Sequence, residues 1–146
     1  MARRNASTQT HPFAESLRTV DLFSDLEPRE LDVLANLARE SRFSDGDVVV
    51  AEGDSSGRFH LVVDGRAVVT VGDHQVAEFG PGDYFGEVAM IDRQPRTATV
   101  AAKGDLRTLS LASISVRPTL LEHPDIALKL LEKVCARLRA ADARLH

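Results

Sequence analysis

The chain has a single cysteine, Cys135, in 146 residues. One thiol cannot build an internal disulfide framework, and such scarcity fits a reducing cytoplasm. Its neighbours Val134 and Ala136 are apolar, so Cys135 is expected to be a small buried hydrophobe. No apolar run approaches the ~18–20 residues that cross a bilayer. The opening MARRNASTQT carries two arginines with no apolar segment behind them, which excludes a secretory signal. The five histidines (His11, His60, His74, His123, His146) include no His-x-His pair, so no metal site is expected. No Ser-His-Asp set or reactive-cysteine context is visible, and the chain is not read as an enzyme. A formal net charge of −4 argues against a whole-surface nucleic-acid binder and leaves only a local basic patch open.

What is present divides by texture. The length suits one domain with one core. Residues 1–12 are polar and aperiodic and are expected to form a disordered arm, with the domain running over 13–146. From Ala14 to Arg42 the pattern is helical. Ser24-Asp25-Leu26-Glu27-Pro28 reads as a turn and cap, and Leu31, Leu34, Leu37 and Ala38 share a face. After Phe43, Gly-Asp and Asp-Gly pairs punctuate short β-rich runs at 48–51, 59–63, 67–71, 76–79, 97–102 and 106–111. Turn residues at that spacing predict many short antiparallel strands in a barrel or sandwich. Helical texture returns near Ser113, and 124–145 predicts a long closing helix with Pro124 and Asp125 in its first turn. Leu128, Leu131, Cys135, Leu138 and Leu145 fall near one stripe, widened by Leu130, Val134 and Ala141, expected to serve as core or dimer seam in preference to a ligand lid.

The stretch FGEVAMIDRQPRTATV, residues 85–100, combines chemistries. Gly86 bares the backbone. Residues 87–91 are good helix formers over little more than one turn, and Arg93-Gln94-Pro95 stops them. The first amides of a helix lack intrahelical acceptors and can face an anion. Arg96 returns from the far side of the loop, and a guanidinium grips phosphate through two parallel bonds. Glu87 would repel a phosphate beside it and suits hydroxyl donors instead. As a bare pair, Glu87 and Arg96 could equally be an exposed ion pair contributing ~0–1 kcal/mol. As two ends of one site they describe a sugar phosphate, with valines of the β wall against a base.

This stretch resembles the phosphate-binding cassette of cyclic nucleotide-binding domains, whose pattern is approximately Phe-Gly-Glu, aliphatic, Ala, aliphatic, a short loop, then Arg-(Ala/Thr/Ser)-Ala-(Thr/Ser)-Val. Here it reads FGEVAM, IDRQP, RTATV. The likeness extends from Leu22 to Arg139: LFSDLEPRELDVLA is similar to the family's N-terminal helices, FSDGDVVVAEGD and LVVDGRAVV to its first strands, FGPGDYFGE to the approach, and HPDIALKLLEKVCARLRA to its long C-terminal helix.

The resemblance implies a mainly β fold with flanking helices: an antiparallel β-roll or jelly-roll-like barrel, N-terminal helices, a short cassette helix and a long C-terminal helix. It implies that Gly86 permits close approach and Glu87 accepts from the ribose 2′-hydroxyl. The N–H of Ala89 would face the cyclic phosphate, Arg96 would neutralise it, and Thr97 would add its N–H and hydroxyl. Val88 and Ala98 belong to the same pattern. Arg137 and Leu138 would cap the base, although Arg137 also suits a solvated helix face. In the family's kinases, threonine directly after the arginine goes with cGMP; relatives with Arg-Thr also take cAMP, and cAMP is favoured here. The expected function is a cytoplasmic sensor that binds without catalysing and needs no cofactor beyond its nucleotide ligand. Its effector would lie in cis or in trans. The chain stops at His146, after the long helix and without a helix-turn-helix, so it is expected to be a stand-alone sensor or one domain of a longer regulator. A homodimer through the closing helix is a further expectation. The rivals are a same-fold interaction module without nucleotide binding and the sensor half of a DNA-binding regulator.

Overall fold

A computed structural model describes residues 11–145, and the first ten residues of the expected arm lie outside it. The chain divides into two compact units. One is helical, holding residues 11–36 together with 120–145; the other, Leu37–Thr119, carries the β-structure.

In the helical unit, α1 is Pro12–Arg18, a 3-10 turn spans Asp21–Phe23 and α2 is Pro28–Ala35. Both helices start on proline, whose missing N–H costs nothing at that position. His11 Nδ1 accepts the amide of Phe13, and a capping box links Glu27 and Glu30 at the start of α2. Glu30 is only 2% exposed and its carboxylate accepts from Lys129 Nζ at 2.7 Å. Lys129 belongs to the long helix α5, Pro124–Leu145. Asp25 and Asp21 pair with Lys133 of that helix at 3.4 and 3.8 Å, respectively.

In the β unit, β1 is Arg39–Phe43, β2 Val48–Val50, β3 Arg58–Val71, β4 His74–Phe79, β5 Tyr84–Phe85 and β6 Thr99–Ala112. A one-turn helix α3, Ala89–Asp92, precedes β6, and α4, Ser113–Glu122, follows it directly. All pairings are antiparallel, in the order β1-β6-β3-β4, with β2 also on β6 and β5 also on β3. The expected antiparallel fold with flanking helices is present, but as one open six-stranded sheet and not a closed barrel. Val50, Val62, Ala67, Val69, Phe85, Val100, Ala102 and Leu106 form a buried cluster on it.

Three expectations are corrected. The helical reading through Arg42 ends early: Asn36 caps α2, and Arg39–Phe43 is a strand on β6. RESRF has no β signature of its own, and pairing with a central strand overrides its weak local preference. The four runs at 59–63, 67–71, 97–102 and 106–111 merge into two 14-residue strands, β3 and β6. Asp64-Gly65, read as a turn, is a bulge inside β3, where the register against β6 shifts. Gly65 has φ +90°, and a Cβ there would lie 2.1 Å from the Asp105 carbonyl oxygen. Lastly, Cys135 is exposed. Among the described side chains of α5, Ile126 and Leu130 are buried, while Leu128, Leu131 and Leu138 are more than half exposed. Two apolar faces of one helix compete for the core, and periodicity does not rank them.

Candidate functional site

The site is built where the two-residue strand β5 pairs with β3. Gly80-Pro81-Gly82-Asp83 turns the chain, closed by the Gly80 amide on Asp83 Oδ2 at 2.8 Å and tied to β3 through Val62. Phe85 then lies opposite His60, and Tyr84 opposite Leu61. Gly86 follows with φ +84°. A Cβ at this position would come 2.4 Å from the Arg58 carbonyl oxygen and 2.9 Å from an Arg96 guanidinium nitrogen. Both the backbone angle and the space therefore demand glycine.

Helix α3 is anchored by the fully buried Met90. Met90 donates its amide to Gly86 O, and Arg93, in the left-handed region at φ 57°, donates to Ala89 O and ends the turn. Pro95 then lets the chain come back as Arg96. The Arg96 backbone is held on both sides by the loop after β2: its N–H donates to Asp54 O at 2.8 Å, and its carbonyl accepts from Gly53 at 2.7 Å.

The Arg96 side chain makes its hydrogen bond and its ring contact to neutral groups, with the Asp54 and Glu87 carboxylates near enough to act on its charge. One guanidinium nitrogen donates to Arg58 O at 3.0 Å, and the guanidinium carbon stands 5.9 Å from the centre of the Phe85 ring. Burial lowers the pKa of Arg96, while Asp54 and Glu87 act against that shift. Phe85 itself lies between Phe79, at 5.2 Å, and His60, at 5.3 Å, both near-parallel to it. His60 is 1% exposed, with Nδ1 2.9 Å from Thr108 Oγ1. Burial first, then the charges of Arg58 and Arg96, push its pKa from 6.5 down to about 3, so the ring is neutral.

Gly86, Glu87, Val88, Ala89, Arg96 and Thr97 line one cavity of about 360 Å³, together with Asp92, Gln94 and Pro95. Six of the nine residues singled out from the sequence thus share a cavity. Ala98 instead packs against the buried cluster of the sheet. Arg137 and Leu138 belong to α5 in the helical unit, where Arg137 lies 3.8 Å from Asp21 and Leu138 is 62% exposed. The sequence reading missed Arg58, which contributes through its carbonyl, and His60, seen only as one histidine among five. A backbone acceptor leaves no residue signature; His60 falls in the β-rich run 59–63, whose sequence predicts a strand but not its burial.

The model of the cyclic nucleotide-binding domain matches residues 40–123, more than half of the chain. This chain belongs to that family. The domain is 36% identical over 107 residues to the cAMP-dependent protein kinase regulatory subunit of Dictyostelium discoideum, an overlap of 68% of this chain and 33% of that protein. Its structure is similar to the N-terminal domain of a transcriptional regulator from Streptomyces coelicolor A3(2), with TM-score 0.80 and 29% identity, covering 88% of this chain and 95% of that one. It is also similar to the regulatory domain of Toxoplasma gondii PKA solved with cAMP, with TM-score 0.67 and 27% identity over 88% of this chain and 52% of that one. The domain spans a third or less of the length of the curated kinase regulatory subunits it matches. No helix among the described residues is long and apolar enough to cross a membrane.

Proposed function

We propose that the domain is a cyclic nucleotide sensor, for cAMP in preference to cGMP, which binds its ligand without transforming it. The observation that carries this reading is the cavity in which Glu87 and Arg96 meet, with the Arg96 guanidinium already aimed by Phe85 and Arg58 O. A cation held by a carbonyl and a ring still has its charge to offer to a phosphate. In this reading Glu87 takes the ribose 2′-hydroxyl, the Ala89 N–H and Arg96 take the cyclic phosphate, and Thr97 adds donors beside it. Gly86 keeps the backbone low enough for that approach. The relatives named above that work with cAMP support the choice of nucleotide.

Relay runs through α4. The Arg117 side chain donates to Ile91 O, so the end of α3 is bonded to a helix that leads through His123 into α5. A ligand that shifts α3 biases that bond, a local change that can drive a two-state element. Arg137 and Leu138 are the candidates to cap the base from α5. The exposed Leu128, Leu131, Val134 and Leu138 support α5 as a homodimer seam or as a surface for an effector. The Streptomyces regulator favours one second reading of the output, in which this domain serves a transcription factor carried in cis or in trans. Cytoplasmic placement and the absence of direct nucleic-acid binding belong to the same reading.

Calorimetric titration with cAMP and cGMP tests the proposal. Saturable heat with cAMP, stronger than with cGMP, is expected. Absence of heat and of any thermal shift with either nucleotide would leave a same-fold interaction module.

A further inference from the structure

A second cavity of the β unit, of about 170 Å³, is lined by Arg39, Arg58, Ser110, Ile114 and Ser115 among others. Its chemistry follows from register. Arg39 on β1 lies opposite Ser110 of β6, and Arg58 on β3 lies opposite Ala112 of β6. Residues directly opposed share a face of the sheet, as do residues two apart along a strand, so Arg39, Ser110, Ala112 and Arg58 all project to the same side. The two arginines stand one strand apart across β6, roughly 10 Å between their strands. The β6 residues between them are small, a serine and an alanine, and leave a hollow that two long side chains can flank. Ser115, from the first turn of α4, adds a hydroxyl at the rim.

The charges in this hollow are not balanced locally. No Asp or Glu is among the described residues that line it. Neither the Arg39 nor the Arg58 guanidinium has an ion-pair partner among the described residues. A different cavity shows what balance looks like: it too has two arginines, Arg42 and Arg107, but Asp64 and Asp105 line it with them, and Glu40 pairs with Arg107 at 2.6 Å. Two unpaired cations in one small hollow of a chain with net charge −4 form a local positive well. The Arg58 charge also contributes, after burial, to holding the His60 pKa down.

The geometry points to a second anion site in this hollow, for a tetrahedral phosphoryl group, either inorganic phosphate or a phosphomonoester on a protein side chain. Two guanidinia and the Ser115 hydroxyl supply the donors such a group takes, while the Ser110 hydroxyl donates to the Arg39 carbonyl and steadies the strand that carries Arg39. A hollow of about 170 Å³ accommodates a phosphoryl group. Arg58 has two roles: its side chain lines this hollow, while its carbonyl holds Arg96 in the other cavity. The site stands apart from the cyclic nucleotide reading and survives if that reading fails.

The test is a titration of the whole chain, followed by amide shifts of Ala112, Ile114 and Ser115, with inorganic phosphate and separately with a short phosphoserine peptide at constant ionic strength. The Arg96→Ala background removes the cassette as a competing phosphate binder. Saturating shifts at these three amides are expected there, and Arg39→Gln should weaken them about tenfold, the loss of one charge-assisted bond. Arg58→Gln keeps the carbonyl and should do the same, which covers the case of one variant failing to fold. Tighter binding of the peptide assigns the site to a phosphorylated segment, and equal binding to the free anion. Shifts that never saturate, or that persist unchanged in both glutamine variants, overturn the site. Cyclic nucleotide affinity of Arg39→Gln should stay within about twofold, as expected of a residue outside the nucleotide cavity.

Discussion

The helical unit and the β unit each take an ionisable group out of water, and they settle its charge differently. Glu30, 2% exposed, accepts from Lys129 at 2.7 Å and from the Glu27 amide at 2.8 Å. Its charge is closed within the unit. In the β unit, Arg96 is held by a carbonyl oxygen and an aromatic face, and His60, 1% exposed, is kept neutral. A closed pair stabilises structure and offers nothing to a ligand. A cation positioned by neutral groups is available to an incoming anion, and the neutral His60 below it adds no second charge that would have to be compensated without ligand.

That contrast is breakable, and Arg96→Ala should do so with the largest effect. It leaves a bound phosphate without its counter-charge, a loss of ~2–5 kcal/mol, or roughly 30- to 4,000-fold in cyclic nucleotide affinity. Stability should move by less than about 1 kcal/mol, because no closed pair is lost. Binding within threefold of wild type by calorimetry would sink the assignment.

His60 gives the next effect, through pH. Its folded pKa is depressed below the unfolded value, so the unfolded chain binds the proton first and stability is lost as pH falls. The loss begins near pH 6.5 and continues towards about 3. It should reach at most about 1.4 kcal/mol for each pH unit in that window. Urea unfolding between pH 6.5 and 4 should show a shallower slope in His60→Gln; matching slopes would mean that His60 is charged in the folded state.

Glu30→Ala removes the reciprocal cap of α2 as well as the ion pair and should cost about 1–2 kcal/mol in chemical unfolding. Nucleotide affinity should be unchanged. A fall in affinity as large as the fall in stability would erase the distinction between the two units.

Gly86→Ala should cost about 1 kcal/mol or more in stability from its positive φ alone, and it should also weaken binding because its Cβ would displace Arg96. Gly82 has φ +92° but nothing within 4 Å of a Cβ. Gly82→Ala should therefore destabilise by less than Gly86→Ala, through its φ alone, and leave affinity unchanged. Parallel losses of affinity in both variants would reduce Gly86 to a turn glycine. The smallest effect expected is at Thr97, where alanine should weaken cGMP more than cAMP if the hydroxyl reads the base. Equal weakening would restrict Thr97 to the phosphate.

Legibility tracked distance along the chain. Gly86, Glu87, Val88, Ala89, Arg96 and Thr97 lie within twelve consecutive residues, and their spacing conveyed a one-turn helix, a proline stop and a returning cation. The structure brings these six to one cavity. Arg137 and Leu138 are indicated by family likeness alone, some forty residues further on, and sit on a helix whose two apolar stripes look alike in sequence. Asp64-Gly65 carried a strong turn signal, yet the strand continues through it because β6 supplies pairing on both sides of the bulge. RESRF became a strand for the same reason.

By itself, the sequence determined the cassette, since helix length, glycine freedom and proline breaking are set by neighbouring residues. It also determined the long closing helix and the β-rich texture before it, through their periodicity, though not the strand at Arg39–Phe43. Tertiary structure alone decided which carbonyl holds Arg96, that His60 is neutral beneath Phe85, which face of α5 is buried, and that Arg39 and Arg58 share a hollow. Each of those depends on strands or helices that meet from distant parts of the chain, where burial and pairing outweigh local preference.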